Sequence, residues 1–272
     1  MLLTVPGSSV KLRPADIVNI SSPPDWFPMG HPAAPVPVGA ARAPGLWACG
    51  FCHLPNGQGR PENASLAGLP AAYILTQIAA FRSGERHGGK PDWKPSTLMA
   101  AVARDATDEE IARAAEYFSQ RPFASHVEIV ESRTVPAHAP LGFIYARIQG
   151  APVALGNEIV EMPIDTTGFE RRDPNSRFVA YLPVGSRARG ARLARDGAPP
   201  CSTCHGANLR GGAGAIAPPI AGRSPSYLFR QLYGFHSGDR GGAAAQPMRA
   251  VAEKLSQADM IALAAYAASL SP

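Results

Sequence analysis

The sequence predicts a mainly α protein: two tandem helical domains joined by a long connector of irregular chain and short strands. Three observations carry that prediction. C-x-x-C-H occurs twice, as Cys49-Gly50-Phe51-Cys52-His53 and Cys201-Ser202-Thr203-Cys204-His205, and the two copies use all four cysteines of the chain. Further along, residues recur at a constant offset: Leu66, Gly68, Tyr73, Gln77, Phe81, Gly84 and Arg86 fall on Ile220, Gly222, Tyr227, Gln231, Phe235, Gly238 and Arg240. Such self-similarity marks a duplicated unit. The stretches outside the copies are rich in proline or in short β-prone runs and lack helical periodicity. The expected organisation is a strap over 1–36, a first domain over 37–123, a connector over 124–183 and a second domain over 184–272.

The motif itself has a direct chemical reading. C-x-x-C-H is the attachment signature of c-type haem. Two thiols one helical turn apart form thioethers to the vinyl groups, and the adjacent histidine supplies an axial nitrogen to iron. Two covalently attached haem c groups are expected, on Cys49, Cys52 and His53 and on Cys201, Cys204 and His205. Zinc held by the four cysteines is the competing reading. Each pair is followed at once by histidine and lies in a separate copy, which argues against it. A disulfide across a two-residue spacing would be a local redox pair and not a staple.

Length and composition fit this outline. A chain of 272 residues with 45% hydrophobic content can bury a core for one large or two small domains. Its 27 glycines and 28 prolines predict long irregular segments. The formal charge of +5 falls to about +3 once four propionates and two ferric porphyrins are counted, so basicity is a poor argument for nucleic acid. No run approaches 18 consecutive apolar residues, so no transmembrane helix is expected. The start Met1-Leu2-Leu3-Thr4-Val5-Pro6 lacks the basic and apolar regions of a signal peptide. Haem attachment belongs outside the bacterial cytoplasm, so the expectation is a periplasmic protein whose signal has been removed or replaced.

In chain order, Pro23-Pro24-Asp25-Trp26-Phe27-Pro28 cannot be helical, because proline fixes φ and removes donors. Trp26 and Phe27 are expected to plug a strap into a neighbouring domain, with a docking arm as the alternative. Helices are expected over 70–83 and 225–237, the second capped by Ser224 before Pro225 and each stopped by Gly84 or Gly238. The last helix of each copy opens on a capping box, Thr107 to Glu110 and Ser256 to Asp259. Its alanine-rich face permits close approach. In the connector, 127–130, 143–146, 158–161 and 178–181 read as strands laid over the haem domains. Arg171, Arg172, Arg177, Arg187, Arg189, Arg192 and Arg195 then cluster before the second motif. A solvated face, propionate pairing and a dock for an acidic partner all fit that cluster.

The sixth ligand of each iron separates carriers from catalysts, since an open position binds oxygen, peroxide or substrate. Met99 and Met248 fall at matched positions before the last helix of each copy, in proline-containing segments read as loops. A methionine is ordinarily core filler, but the match makes both candidate iron ligands, with a carrier's ligand set. Met29, Met162 and Met260 have no counterpart in the other copy. His87 and His236 do not align with each other, and His31, His126 and His138 are expected to face solvent or cap loops.

With these residues in hand the chain resembles the dihaem cytochromes c of the cytochrome c4 type. The resemblance rests on the two C-x-x-C-H motifs, Pro218-Pro219-Ile220-Ala221-Gly222, Tyr227, Gln231-Leu232, Phe235, Gly238-Asp239-Arg240, Met248 and Leu263-Ala264-Ala265-Tyr266. It covers about two thirds of the chain and leaves out the strap and the connector. It implies two cytochrome c-like haem domains related by a pseudo-twofold, with electron transfer as the function. It also implies that the Pro218 carbonyl holds the imidazole N–H of His205, a role that falls to Ala64 in the first copy. Tyr73 and Tyr227 are further candidates for lining the haem sites. The expected partners are redox proteins, with a dehydrogenase as donor and an oxidase or cytochrome as acceptor. The rival is a catalytic dihaem enzyme, a peroxidase or sulfur-compound oxidase with one open haem.

Overall fold

The computed structural model describes residues 1–89, 94–212 and 217–272. The chain opens with α1 (Pro14–Ile17) and then a long irregular segment. The first helical domain follows as α2 (Cys49–His53), α3 (Ala71–Ser83), α4 (Lys94–Asp105) and α5 (Asp108–Ser119). Next come β1 (Val127–Glu131), β2 (Thr134–Val135), β3 (His138–Leu141), β4 (Ile144–Arg147), β5 (Val153–Ala154), β6 (Val160–Pro163), α6 (Thr166–Glu170) and β7 (Phe178–Leu182). The second helical domain is α7 (Ser186–Asp196), α8 (Ser202–His205), α9 (Pro225–Ser237), α10 (Gln246–Ala252) and α11 (Gln257–Ser269).

Local chemistry sets most helix ends. Ser224 Oγ accepts from Tyr227 N at 3.2 Å, and both capping boxes form, Thr107 with Glu110 and Ser256 with Asp259. Gly84 and Gly238 end α3 and α9 with φ of +80° and +87°, a region that costs an L side chain energy. The methionine segments differ from the expectation. Met99 lies within α4 and Met248 within α10, not in loops. Pro95 and Pro247 occupy the first turns of these helices, where the missing N–H has no partner to lose.

The second domain is organised by α7 crossing α11. A Cβ on Gly190 would lie 1.9 Å from the Ala262 carbonyl and 2.7 Å from Tyr266 Cβ, so the backbones meet because position 190 has no side chain. Among the described residues, the first domain has no helix in that role. Its proline-rich segment instead lays Ala34 and Val38 against Ala114, Ala115, Tyr117 and Phe118 of α5. His31 is drawn in as well, its Nδ1 3.0 Å from the Tyr117 hydroxyl and its side chain 6% exposed.

The connector forms a mixed sheet in the order β1-β7-β6, with β1 parallel and β6 antiparallel to β7. Ala180 and Leu182 of β7 pack on Ile261 and Ala265 of α11. His126, expected near solvent, sits edge-on to Phe178 at 5.4 Å, and burial pushes its pKa down to about 4. The arginine cluster divides. Arg171 and Arg172 donate to the carbonyls of Thr4 and Ile17 and clasp the strap. Arg187, Arg189 and Arg195 pair with Glu131, Asp259 and Asp196 on the outer face of α7.

Glu161 of β6 ties the connector to the second domain. Its buried Oε2 accepts from Ser224 Oγ at 2.7 Å and Ser226 N at 3.1 Å at the start of α9. Burial, the largest influence, raises its pKa above the ordinary 4.5 despite those bonds. The folded state therefore keeps a proton that the unfolded chain has lost, so this group's contribution is full below about pH 4.5 and declines as pH rises. Glu161→Gln should gain stability relative to the parent between pH 4 and 7, measured by urea unfolding at each pH. A pH-independent difference would refute the assignment.

Candidate functional site

Each C-x-x-C-H forms a short helix whose first turn is anchored from outside. In the second domain Cys201 N donates to Ala194 O at the end of α7, 2.9 Å away. In the first, Cys49 N donates to Pro37 O and Gly50 N to Val38 O, at 2.9 and 3.0 Å. The proline-rich segment thus supplies the carbonyls that a helix end supplies in the other copy.

The histidines are matched more closely still. His53 and His205 are buried, 9% and 7% exposed. The Nδ1 of His53 lies 2.8 Å from Ala64 O, and that of His205 lies 2.8 Å from Pro218 O. A ring that donates Nδ1–H to a carbonyl keeps its lone pair on Nε2, the tautomer a metal requires. Burial lowers both histidine pKa values, which favours the neutral ring. The loops that carry these carbonyls are also matched. Gly59 N and Gly211 N donate to the carbonyls of His53 and His205, and Leu66 N and Ile220 N donate to those of Gly57 and Leu209. Gly59 takes φ +67°, and a Cβ there would meet Ala64 O at 2.5 Å. Alanine for proline at position 64 therefore leaves the bond length unchanged.

Around the first motif lies a cavity of about 1140 Å³ lined by Cys49, Cys52, His53, Tyr73 and Met99 among others. Leu69, Ile74, Phe81, Val102 and Phe118 make its walls largely apolar. Burial pushes the Cys49 thiol up to about 12 and raises Cys52 and Cys201. A buried imidazole with a free Nε2, two thiols on one helical turn and an apolar slot suit a covalently held haem. Among the described residues, no three His, Cys, Asp or Glu side chains converge as a metal cluster. In the second domain Met248 packs on Phe235, Ala245 and Ala252.

Tyr227 lines the first cavity alongside Tyr73, so both tyrosine candidates fall at one site. The cause is the domain interface. Arg86 donates to Gln77 Oε1 at 2.7 Å and to Gln231 Oε1 at 2.8 Å. Arg240 donates to Gln231 Oε1 at 3.0 Å and to Gln77 Oε1 at 2.7 Å, and reaches Tyr73 OH at 3.3 Å. The backbones of Arg86 and Arg240 form an antiparallel bridge. Gln77 and Arg86 therefore meet their counterparts Gln231 and Arg240 about a pseudo-twofold axis. Burial opposes ionisation of Tyr73, yet Arg240 and Arg86 outweigh it and hold its pKa below the usual value. Sequence reasoning matched these residues but not their contact, because a constant offset shows equivalence and not proximity. His87 lies near this seam, its N donating to Asp239 O, whereas His236 Nδ1 lies 2.9 Å from Ala252 O.

Comparison with known proteins agrees with this geometry. The cytochrome c family profile matches residues 188–271. Cytochrome c4 of Azotobacter vinelandii is 27% identical over 242 residues, 88% of this chain and 90% of that protein. Cytochrome c-554(548) of Halomonas halodenitrificans is 38% identical over 74 residues, 27% of this chain and 83% of the relative. The thiosulfate dehydrogenase electron acceptor of Thiomonas intermedia is 36% identical over 110 residues, 36% of this chain and 48% of that protein. The chain thus spans about half of that relative. The solved cytochrome c4 of Acidithiobacillus ferrooxidans shares the fold, with a TM-score of 0.53 and 22% identity over 82% of this chain and 98% of that one.

Proposed function

The chain belongs to the c-type cytochromes, of the dihaem cytochrome c4 type, and we propose that it is a periplasmic electron carrier with two haem c groups. Cys49 and Cys52 would hold the first and Cys201 and Cys204 the second, and His53 and Met99, and His205 and Met248, would ligate the irons. It receives electrons from a dehydrogenase and passes them to an oxidase or another cytochrome. The observation that carries the reading is the matched pair of histidine–carbonyl bonds at 2.8 Å. The likeness to an electron acceptor of thiosulfate dehydrogenase supports a dehydrogenase as donor.

When bound, haem c supplies a one-electron ferric/ferrous couple. The chain's own residues set the conditions for it. Ala64 and Pro218 fix the tautomer of each histidine and raise its basicity by accepting the Nδ1 proton. Phe118, edge-on to His53 at 6.4 Å, and the apolar walls exclude water, which lowers the local dielectric. Arg86 and Arg240 bind the two domains into one unit through shared glutamine acceptors, so the distance between the sites is held constant. No helix among the described residues is long and apolar enough to cross a membrane.

Pyridine haemochrome analysis of the full protein should give two haems per chain. The ferrous protein should bind carbon monoxide slowly or not at all. Rapid binding to either haem would instead favour the catalytic alternative with one open position.

A further inference from the structure

The two C-x-x-C-H helices are built alike and covered differently. At the first, a Cβ on Gly50 would lie 2.7 Å from Val38 O and 3.3 Å from Pro23. Phe51 is buried, with Trp47 edge-on at 5.4 Å and the Arg172 guanidinium 3.6 Å over its ring. Arg172 also donates to Phe51 O at 2.6 Å. Strap and connector together wall this helix off. At the second motif the corresponding residues, Ser202 and Thr203, are exposed.

The charge around the open helix has one dominant sign. Arg192 and Arg195 on α7 and Arg210 beyond the motif are exposed. The end of α7 is fixed to the motif through Cys201 N and Ala194 O. Asp196, 2.7 Å from Arg195, is the one carboxylate that offsets them among these residues. Small uncharged side chains at the centre with arginines at the rim suit a brief encounter with an acidic surface, since such contacts are small and steered by charge.

We infer that the second C-x-x-C-H helix, and not the first, is the docking face for an acidic redox protein. The inference rests on the electron-carrier reading above. Each encounter exchanges one electron; the partner loses or gains what this chain gains or loses, and no bond is made or broken. The contrast between the sites comes from the strap and the connector, the two segments outside the repeat.

Hexacyanochromate(III), a redox-inert paramagnetic anion, tests this by NMR on the intact ferrous protein. It should broaden the amides of Thr203, Cys204 and Arg210, and both added salt and the double variant Arg192→Glu/Arg210→Glu should abolish the effect. Oxidation of the ferrous protein by hexacyanoferrate(III) should slow roughly tenfold in that variant. For the unmodified protein it should slow as ionic strength rises, which keeps the test independent of how the variant folds. Broadening centred on Gly50 to His53 or on the hairpin around Phe143, or broadening indifferent to charge reversal, would overturn the assignment. Rapid carbon monoxide binding would sink the carrier reading whatever the map. A closed haem pair with the map elsewhere would sink only the docking face.

Discussion

Trp26→Ala should lower the stability of the strap and its seat by about 4 kcal/mol, in the range for truncating a fully buried aromatic side chain. Trp26 is 1% exposed and packs with Val5 and Ile17, flanked by Leu3, Val10, Leu12 and Phe27. Its Nε1 donates to Arg171 O at 2.7 Å, so truncation also leaves a carbonyl short of a partner. That carbonyl ends α6, whose Phe169 lines the first cavity. The loss should therefore reach the first haem site and not the second. Trp26→Phe keeps most of the packing and gives up only the hydrogen bond, so it should cost roughly 1–2 kcal/mol. Urea unfolding gives the size of the effect, and proteolysis within residues 1–36 gives its place. A Trp26→Ala protein as stable and as protease-resistant as its parent would show that the strap is a loose arm.

What could be read in advance follows the range of the interactions involved. Caps and stops are decided within four residues, so Ser224, Thr107–Glu110, Ser256–Asp259, Gly84 and Gly238 were legible and form as expected. The motif helices were legible because duplication showed each twice, and the carbonyls facing His205 and His53 because the family resemblance implied the one at Pro218 and the repeat carried it to Ala64. α4 and α10 were not, because Pro95 and Pro247 look like helix breakers unless they fall in a first turn. α7 read as a charge cluster, since its arginines face outward and its one essential small residue, Gly190, gains meaning only from Ala262 and Tyr266 across the crossing. The parallel pairing of β1 with β7 joins Val127 to Phe178, a separation at which strand propensity says nothing about the neighbour.

The replacement of a helix by a strap has the widest consequences of these. Both domains need a carbonyl over the first cysteine N–H and an apolar surface against the last helix. α7 meets both needs in the second domain, through Ala194 and the face around Gly190. Pro37, Val38 and Ala34 meet them in the first. A proline-rich segment holds an extended path at low entropic cost, and that path leads on to Pro23 over Gly50. The same substitution that completes the first domain therefore also buries its motif helix.

Met99→Leu and Met248→Leu should each abolish the methionine–iron charge-transfer absorption of one haem and leave the other's intact, with the double variant losing both. Leucine is the informative replacement because it conserves apolar volume, and such swaps usually cost less than about 1.5 kcal/mol. If either methionine were only core filler, leucine would leave the spectrum of the ferric protein unchanged. Met99 shares a cavity with His53 and lies on α4, which α5 and its capping box follow directly. Met248 occupies the matched position on α10, held by Phe235 and Ala252. Losing the sulfur should also lower the potential of the affected haem, because thioether ligation raises it. It should open that iron to rapid carbon monoxide binding as well, a change that packing alone would not produce. An unaltered ferric spectrum in both single variants would exclude methionine ligation and return the sixth position of each haem to another residue.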